Sequence, residues 1–142
     1  MTNGKRNRAS GHKFERDCAN EFRKVGFVNC VTSRSANRAR DNQGIDLVNQ
    51  DEILHGRLPW SVQCKNVKGH LTYGKILSEM PKEANIVNVI LHNQTEKVNS
   101  RFITKDKFAI LYMTDFMKMV NKLRKYESTI SRPVVSTTGG GA

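Results

Sequence analysis

Two short segments of the sequence carry residue types that could do hydrolytic chemistry. Residues 44–48 read GIDLV and residues 62–65 read VQCK, so each alternates between apolar and polar side chains. If the two segments pair as strands of a β-hairpin, this alternation can place Asp46, Gln63 and Lys65 on one face. Mg²⁺ and Mn²⁺ prefer carboxylate and amide oxygens, and such a cation beside an ammonium group suits phosphodiester hydrolysis. The same pattern also fits an Asp, a Gln and a Lys on the solvated face of a hairpin.

The surrounding sequence predicts the α/β domain that must hold this hairpin. Apolar residues at helical spacing predict helices over residues 11–25, 73–80 and 115–125. Short apolar or alternating runs predict strands over residues 27–33, 44–49, 60–67, 86–92 and 108–113, with a basic loop at 34–43. The order α-β-β-β-α-β-β-α indicates a single central mixed β-sheet flanked by helices. We expect a flexible basic arm at 1–9, one domain over 10–130 and a disordered tail at 131–142.

The charge of the chain indicates a polyanionic partner. Its 142 residues include 24 Lys and Arg against 13 Asp and Glu, for a formal net charge of +11. Nucleic acid is the favoured partner because neutralised phosphates release counterions, although an ordinary basic protein remains an alternative. Three cysteines without a CxxC pair exclude a disulfide framework and an obvious zinc site. With no apolar stretch long enough for a membrane span or a secretory signal, we expect a cytoplasmic protein without a membrane partner.

Five motifs in sequence order resemble one enzyme family. GHKFER (residues 11–16) is similar to the Lys-Gly-x-x-Phe-Glu-Arg start of archaeal-type Holliday-junction resolvases. Gly-Phe (26–27), Arg-Ser (34–35), GIDLV (44–48) and QCK within 62–65 follow in the family's order. This series resembles the PD-(D/E)XK nuclease superfamily, with Gln where the second acid usually stands. The resemblance spans about residues 10–92.

The resemblance implies a set of metal ligands and a role for the lysine. Asp46 would be the central ligand of Mg²⁺, for which Mn²⁺ could substitute. Glu15 would approach the metal from the first helix, directly or through water. Gln63 would stand in the second-acid position, and the backbone carbonyl of Cys64 could add a ligand. Lys65 would serve the attacking water.

The resemblance also implies a fold, a substrate and an assembly. The fold would be restriction-endonuclease-like, and the activity would be hydrolysis of branched double-stranded DNA at four-way junctions, with no small-molecule substrate. Ser35 would position the scissile phosphate, with Arg34 beside it. Two equivalent cleavage points call for a homodimer, to which apolar residues of 108–123 could contribute. Such an enzyme suits a prokaryotic or archaeal cell, or a phage-infected host. Further candidate phosphate contacts are Lys13, Arg38, Arg40, Lys68 and Lys75.

Gln63 leaves three interpretations open. It could be a natural variant in which Glu15 makes up the missing charge. Alternatively Glu79 or Glu83 could have taken over as the second acid, or the chain could be inactive. The alternatives to a resolvase are therefore another PD-(D/E)XK-type endonuclease (for restriction, repair or nicking) and a non-catalytic DNA-binding protein with a decayed metal site.

Some nearby residues have simpler interpretations. Cys64 is expected to pack in the core behind the site. Trp60 and Tyr73 could stack on exposed bases, but partial burial in the fold is the favoured prediction. Core-filling roles are predicted for Met113, Met117 and Met119.

Overall fold

The computed structural model of the chain describes the backbone of residues 3–139 and the side chains of residues 4–130. The chain divides into two compact units, Met1–Leu111 and Tyr112–Ala142. The first contains the sheet and the candidate site, and the second contains one long helix. Each unit is described by itself below.

The first unit is an α/β domain built on one mixed sheet. Its helices are α1 (Asn3–Lys24), α2 (Ser33–Ala36), α3 (Arg38–Asn42), α4 (Glu52–His55) and α5 (Tyr73–Glu79). Its strands are β1 (Cys30–Thr32), β2 (Leu47–Asn49), β3 (Trp60–Lys68), β4 (Val87–Val98) and β5 (Arg101–Ile110). The strands lie in sequence order, and β3–β4 is the parallel pair among antiparallel neighbours. The prediction of a single mixed sheet with helices is confirmed, while the short helices α2, α3 and α4 were not predicted.

Apolar residues cover both faces of this sheet. On one face α1 packs Phe14, Cys18 and Ala19 against strand residues that include Val62 and Val89. On the other face α5 forms a smaller cluster, whose buried members are Leu77, Met80 and Ile90. Val89 and Ile90 are neighbours on β4 and point to opposite faces, as alternation requires. The sheet is thus a layer between α1 and α5.

Strands β4 and β5 form a hairpin much longer than the sequence predicted. They pair antiparallel from Ile90 and Ile110 out to Val98 and Arg101. Asn99 and Ser100 form the connection, and their φ angles of 51° and 65° are the left-handed values that two-residue hairpins use. The predicted strands at 86–92 and 108–113 captured only the base of this hairpin, because all of β5 except Ile110 is exposed and lacks a buried apolar face.

Several predicted boundaries differ from the structure at the two ends of the chain. Helix α1 begins at Asn3, so residues 3–9 of the predicted arm are helical, and the first compact unit ends at Leu111. In the second unit α6 (Met113–Gly139) extends well beyond the predicted 115–125 and into the predicted tail. Residues 1–2 and 140–142 of the predicted arm and tail lie outside the described residues.

The prediction that the methionines of the last helix fill a core is wrong for two of the three. Met113 is 76% exposed and Met117 is 48% exposed, whereas Met119 is partly buried. The helical spacing of these residues was recognised, but spacing alone does not say whether a protein face covers them.

Among the helices of the described part of the chain, none has the length and apolar character that crossing a membrane requires.

Candidate active site

The β2–β3 pairing fixes the position of Asp46. The strands run antiparallel with Leu47 opposite Val62, as the sequence predicted. One residue before β2, the Asp46 N–H donates to the Val62 carbonyl at 2.7 Å. The Asp46 Oδ2 accepts the backbone N–H of Cys64 at 2.7 Å. The carboxylate is therefore held against β3, beside the Gln-Cys-Lys segment.

The surroundings of Asp46 disfavour its charged form. The pKa of this carboxyl is raised from 3.8 to about 7, mainly by burial and also by the negative charges of Glu15 and Asp41. The hydrogen bond from Cys64 and the positive charge of Lys65 act in the opposite direction without cancelling the rise. Since these side chains influence Asp46 electrostatically, the structure brings Glu15, Asp46 and Lys65 into one neighbourhood with surplus negative potential.

Glu15 is buried on α1 and is held by Arg34. The residue is 8% exposed, and the Arg34 Nη2 donates to its Oε1 at 3.1 Å and to its Oε2 at 3.3 Å. Arg34 was predicted as a phosphate contact. In the structure its guanidinium is instead engaged with the predicted helix ligand, although its side chain stays 45% exposed.

The Gln63 amide lies against the backbone just before Asp46. Gly44 has a φ of +76°, and a Cβ built there would stand 3.6 Å from the Gln63 Nε2. A larger residue at this position would therefore be strained and would meet the amide. Gln63 follows the core residue Val62 and precedes Cys64, which also packs against the core below α1, so its side chain points to the opposite face.

Cys64 is a core residue, as predicted. It packs against the cluster under α1, and a contact with the Cys18 thiol together with burial raises the pKa of its own thiol. A thiol in this state is a poor nucleophile. The next residue, Lys65, is partly buried, and within the described part of the chain its ammonium group makes no hydrogen bond or ion pair. Lys65 is thus the available cation of the site.

Ser33 anchors the loop before the hairpin, and Ser35 lies at the surface. Ser33 is fully buried, its Oγ donates to the Ile45 carbonyl at 2.6 Å, and its N–H donates to the Asp46 carbonyl at 2.8 Å. Ser35 is exposed, and its Oγ is shared between the Oγ and the carbonyl of Thr32. Ser33 and Asp41 were not among the predicted site residues. The available signal for them in the sequence was their place near the GIDLV segment.

Arg40 is the clearest correction among the predicted DNA contacts. Its Nη1 donates to the Glu83 Oε1 at 2.7 Å, its Nη2 pairs with Glu52 at 3.4 Å, and its side chain is 20% exposed. Glu83 also pairs with Arg57 at 2.7 Å, and these two arginines lower the pKa of the Glu83 carboxyl. The Arg40 side chain therefore connects α3 to Glu52 and Glu83 and stabilises the fold. Glu83 is held by these two arginines, and Glu79 is exposed on α5, so neither is seen beside Asp46 as a second acid.

The other predicted basic contacts stay at the surface. Lys13 is exposed and forms an ion pair with Asp17 at 2.9 Å. The remaining exposed members of the predicted set are Arg38, Lys68 and Lys75.

The two aromatic residues near the site are part of the fold, as predicted. Trp60 is partly buried in edge contacts with Phe22 and Phe27, at ring separations of 5.9 and 5.2 Å. Tyr73 is also partly buried, and its hydroxyl lies 2.9 Å from the Nδ1 of the fully buried His92. Neither ring is free to stack on bases without leaving these contacts.

The residues around Asp46 have the right chemistry for a hard cation but little charge. They offer a carboxylate with one oxygen free of protein hydrogen bonds in the described part of the chain, the Gln63 amide and the Glu15 carboxylate held by Arg34. Among the described residues, no three His, Cys, Asp or Glu side chains come together as a metal-binding group. Burial and the negative charges of Glu15 and Asp41 disfavour the ionised form of Asp46, and a bound divalent cation would offset that cost. The residues present thus provide oxygen atoms of the kind that Mg²⁺ or Mn²⁺ prefers.

Comparison with protein-family models, with curated proteins and with solved structures gives no match to this chain.

Proposed function

We propose that the first unit is a restriction-endonuclease-like domain, and that the protein is a metal-dependent, structure-selective endodeoxyribonuclease. The substrate that we favour is the four-way DNA junction, cleaved symmetrically as by a Holliday-junction resolvase. One observation supports this proposal most directly. Asp46 is fixed by Cys64 on the Gln-Cys-Lys strand, within electrostatic reach of Glu15 and Lys65, in a chain of net charge +11.

In this proposal oxygen atoms of the site hold the cation, and Lys65 positions the attacking water. Asp46, Gln63 and Glu15 would hold Mg²⁺, with the Cys64 carbonyl as a further oxygen. The bound ion would polarise the phosphate and lower the pKa of the attacking water. Lys65 would orient that water and stabilise charge that develops on the phosphate, because its ammonium has no protein partner in the described chain.

Arg34 links cation binding to DNA binding in this scheme. Its guanidinium now neutralises Glu15, yet the side chain is 45% exposed and can reach solvent. A phosphate at the site would compete for Arg34, since guanidinium groups bind phosphate and carboxylate with similar geometry. Release from Arg34 would free Glu15 for the cation. Ser35 and Arg38 lie exposed on the same loop and remain candidate phosphate contacts.

A homodimer would suit a substrate with two equivalent cleavage points. Helix α6 exposes Phe116, Val120 and Leu123, which are spaced to share one side of the helix. These residues are our candidates for the contact between two copies of the chain. The prediction is that the protein elutes as a dimer in size-exclusion chromatography.

A non-catalytic DNA-binding protein is the second candidate, and specific observations favour it. Gln63 carries no charge, Glu15 is already neutralised by Arg34, and no three metal-binding side chains cluster in the described residues. Such a protein would bind DNA equally well in Mg²⁺ and in EDTA and would cleave nothing.

One experiment separates these candidates. The purified protein is incubated with a labelled four-way junction, a linear duplex of the same sequence and a single strand, each in Mg²⁺, Mn²⁺ and EDTA. A resolvase cuts the junction in either metal and nothing in EDTA. Cutting of the linear duplex at a defined site would instead indicate a restriction-type enzyme, and binding without any cleavage would indicate the non-catalytic protein.

A variant pair then tests the role of Asp46. Asp46→Asn should abolish cleavage, because the central ligand loses its charge, and should leave junction binding nearly intact. Asp106→Asn is the matched control, since Asp106 is exposed and forms no ion pair in the described part of the chain. Full cleavage by the Asp46→Asn protein would remove Asp46 from the mechanism.

A further inference from the structure

A polar groove runs between α1 and strands β3, β4 and β5 of the sheet. It consists of two adjoining cavities of about 280 and 270 Å³ that share part of their lining. The shared residues are Ser10, Asn66, Thr95 and Phe102. The groove lies on the α1 face of the sheet, opposite the face to which Gln63 and Lys65 point. It is therefore a second concave surface, separate from the candidate active site.

Asn93 leaves a buried polar atom without a partner in this groove. The residue is 8% exposed and lines the larger of the two cavities. Its Nδ2 donates to the Asn66 Oδ1 at 2.7 Å, but its Oδ1 is buried and accepts no hydrogen bond from the described residues. Buried acceptors without donors are rare. Because this oxygen has almost no accessible surface, Asn93 contributes to the polar lining below the groove surface and is not a contact atom for a ligand.

The charges around the groove favour an anionic ligand. Lys107 lines the larger cavity and Lys68 the smaller one, and neither ammonium group has an ion pair in the described part of the chain. The carboxylate at the groove belongs to Asp17, which Lys13 neutralises at 2.9 Å. The groove thus presents two lysines that have no ion pair in the described part of the chain, beside lining residues with amide and hydroxyl groups.

An exposed aromatic ring completes the lining. Phe102, on strand β5, borders both cavities and is 60% exposed. A phenyl ring offers a stacking surface to any unpaired base, whereas a duplex keeps its bases stacked inside.

We propose that this groove binds single-stranded DNA, one or two nucleotides at a time. A base stacks on Phe102, while Lys107 and Lys68 contact the flanking phosphates. The proposal goes beyond the nuclease site, because it shares only the polynucleotide partner and requires neither Asp46 nor a cation.

The test is fluorescence anisotropy with a labelled 12-nucleotide single strand of mixed sequence and the corresponding blunt duplex, both in EDTA. Phe102→Ala should weaken single-strand binding about fivefold or more, the loss expected for one stacked base. Lys107→Ala should weaken it and lower the slope of log K against log salt by about 0.7, the value of one phosphate contact. Asn93→Asp should weaken it further, because a carboxylate in the groove repels phosphate. Duplex binding should change little in all three variants.

Lys105→Ala is the matched control. Lys105 is an exposed cation on the same strand as Lys107 but does not line either cavity. Thermal melting confirms the fold of each variant, and the exposed Phe102 and Lys107 keep the test available if Asn93→Asp is unstable. Equal losses from Lys105→Ala and Lys107→Ala, or an unchanged Phe102→Ala protein, would overturn the groove as a binding site.

The outcomes also distinguish this proposal from the proposed nuclease function. Junction cleavage together with wild-type single-strand binding by Phe102→Ala and Lys107→Ala would overturn the groove alone. Loss of single-strand binding in those variants, in a protein that cleaves nothing, would support the groove and count against the nuclease.

Discussion

Replacing Asp46 by Asn should make the metal-free protein more stable at pH 8. The carboxyl is largely enclosed, next to Glu15 and Asp41, and these surroundings raise its pKa from 3.8 to about 7. Asn has the same shape, and its side-chain oxygen can still accept the Cys64 N–H that now bonds to Asp46 at 2.7 Å. The substitution therefore removes an unfavourable charge and keeps the hydrogen bond.

The direction of the pH dependence follows from the raised pKa. Between about pH 4 and pH 7 the folded protein keeps the Asp46 proton that the unfolded chain has already released. The wild-type protein thus loses stability as the pH rises through this range, and the full penalty is present above pH 7. Asp46→Asn should match the wild-type protein near pH 4 and exceed it increasingly up to pH 7.

The magnitude can be bounded from the same pKa values. A rise of about three pH units corresponds to a ceiling of roughly 4 kcal/mol, at 1.36 kcal/mol per unit. Asp46 keeps partial contact with solvent, which screens its interactions, so we expect a gain of about 1–2 kcal/mol at pH 8. For a chain of this size that gain raises the melting temperature by roughly 3–6 °C.

Urea unfolding in EDTA at pH 4, 6 and 8 measures the effect, with Asp106→Asn as the control. The Glu83 carboxyl, whose pKa is lowered by Arg40 and Arg57, contributes stability that is lost as the pH falls below about 4.5. This contribution is common to all three proteins and cancels when they are compared at one pH. An Asp46→Asn protein no more stable than the wild-type protein at pH 8 would refute the argument.

Addition of Mg²⁺ should remove most or all of the stability difference between the wild-type protein and Asp46→Asn. At tenfold excess over its dissociation constant, a cation stabilises the folded state by about 1.4 kcal/mol. The wild-type protein should gain this amount, whereas Asp46→Asn should gain little because its central ligand is neutral. Equal gains in both proteins would place the cation elsewhere.

Three further predictions concern the neighbours of Asp46. Gln63→Glu should raise cleavage at low Mg²⁺ in a junction assay, because it adds the missing charge; an inactive variant would mean that the site is built around an amide. Arg34→Ala should lower the unfolding free energy by about 1–3 kcal/mol, because it leaves the buried Glu15 unpaired, and Glu15→Gln in the same chain should restore much of the loss in urea titrations. Arg40→Ala should destabilise the fold without changing the salt dependence of DNA binding, since its guanidinium is committed to ion pairs, whereas the exposed Arg38→Ala should do the opposite in melting and anisotropy measurements.

The sequence predicts those parts of the fold in which burial leaves a periodic pattern. Helix α1 was recognised from Phe14, Cys18 and Phe22, which face the sheet. Its first turns were not recognised, because the side chains of residues 4–10 are exposed. The same limit applies to β5, where the ladder of backbone hydrogen bonds continues through polar residues. Its turn depends on two left-handed residues, Asn99 and Ser100, and this pair is a weaker signal than Asn-Gly.

The candidate site shows a similar division between what spacing predicts and what only coordinates reveal. Spacing predicted the antiparallel pairing that sets Asp46 beside the Gln-Cys-Lys strand, because alternation and hairpin pairing are local rules. Pairing between charges obeys no such rule. Arg40 and Glu83 are 43 residues apart in sequence, and their 2.7 Å contact depends on how the loop and the segment after α5 meet. A basic residue near a site is thus a poor guide to DNA contacts until its partners are known.

The charged residues near the site differ in whether the protein itself balances their charge. Arg40 and Arg57 share Glu83 at 2.7 Å each, so their charges are already balanced by the protein. Asp46 makes no ion pair among the described residues, and burial together with the charges of Glu15 and Asp41 raises its pKa. Two arginines thus balance Glu83, whereas the ionised form of Asp46 lowers the stability of the fold at the hairpin. Because natural proteins retain such penalties mainly at functional sites, this imbalance favours cation binding over a decayed site and makes the Mg²⁺ titration of Asp46→Asn the decisive comparison.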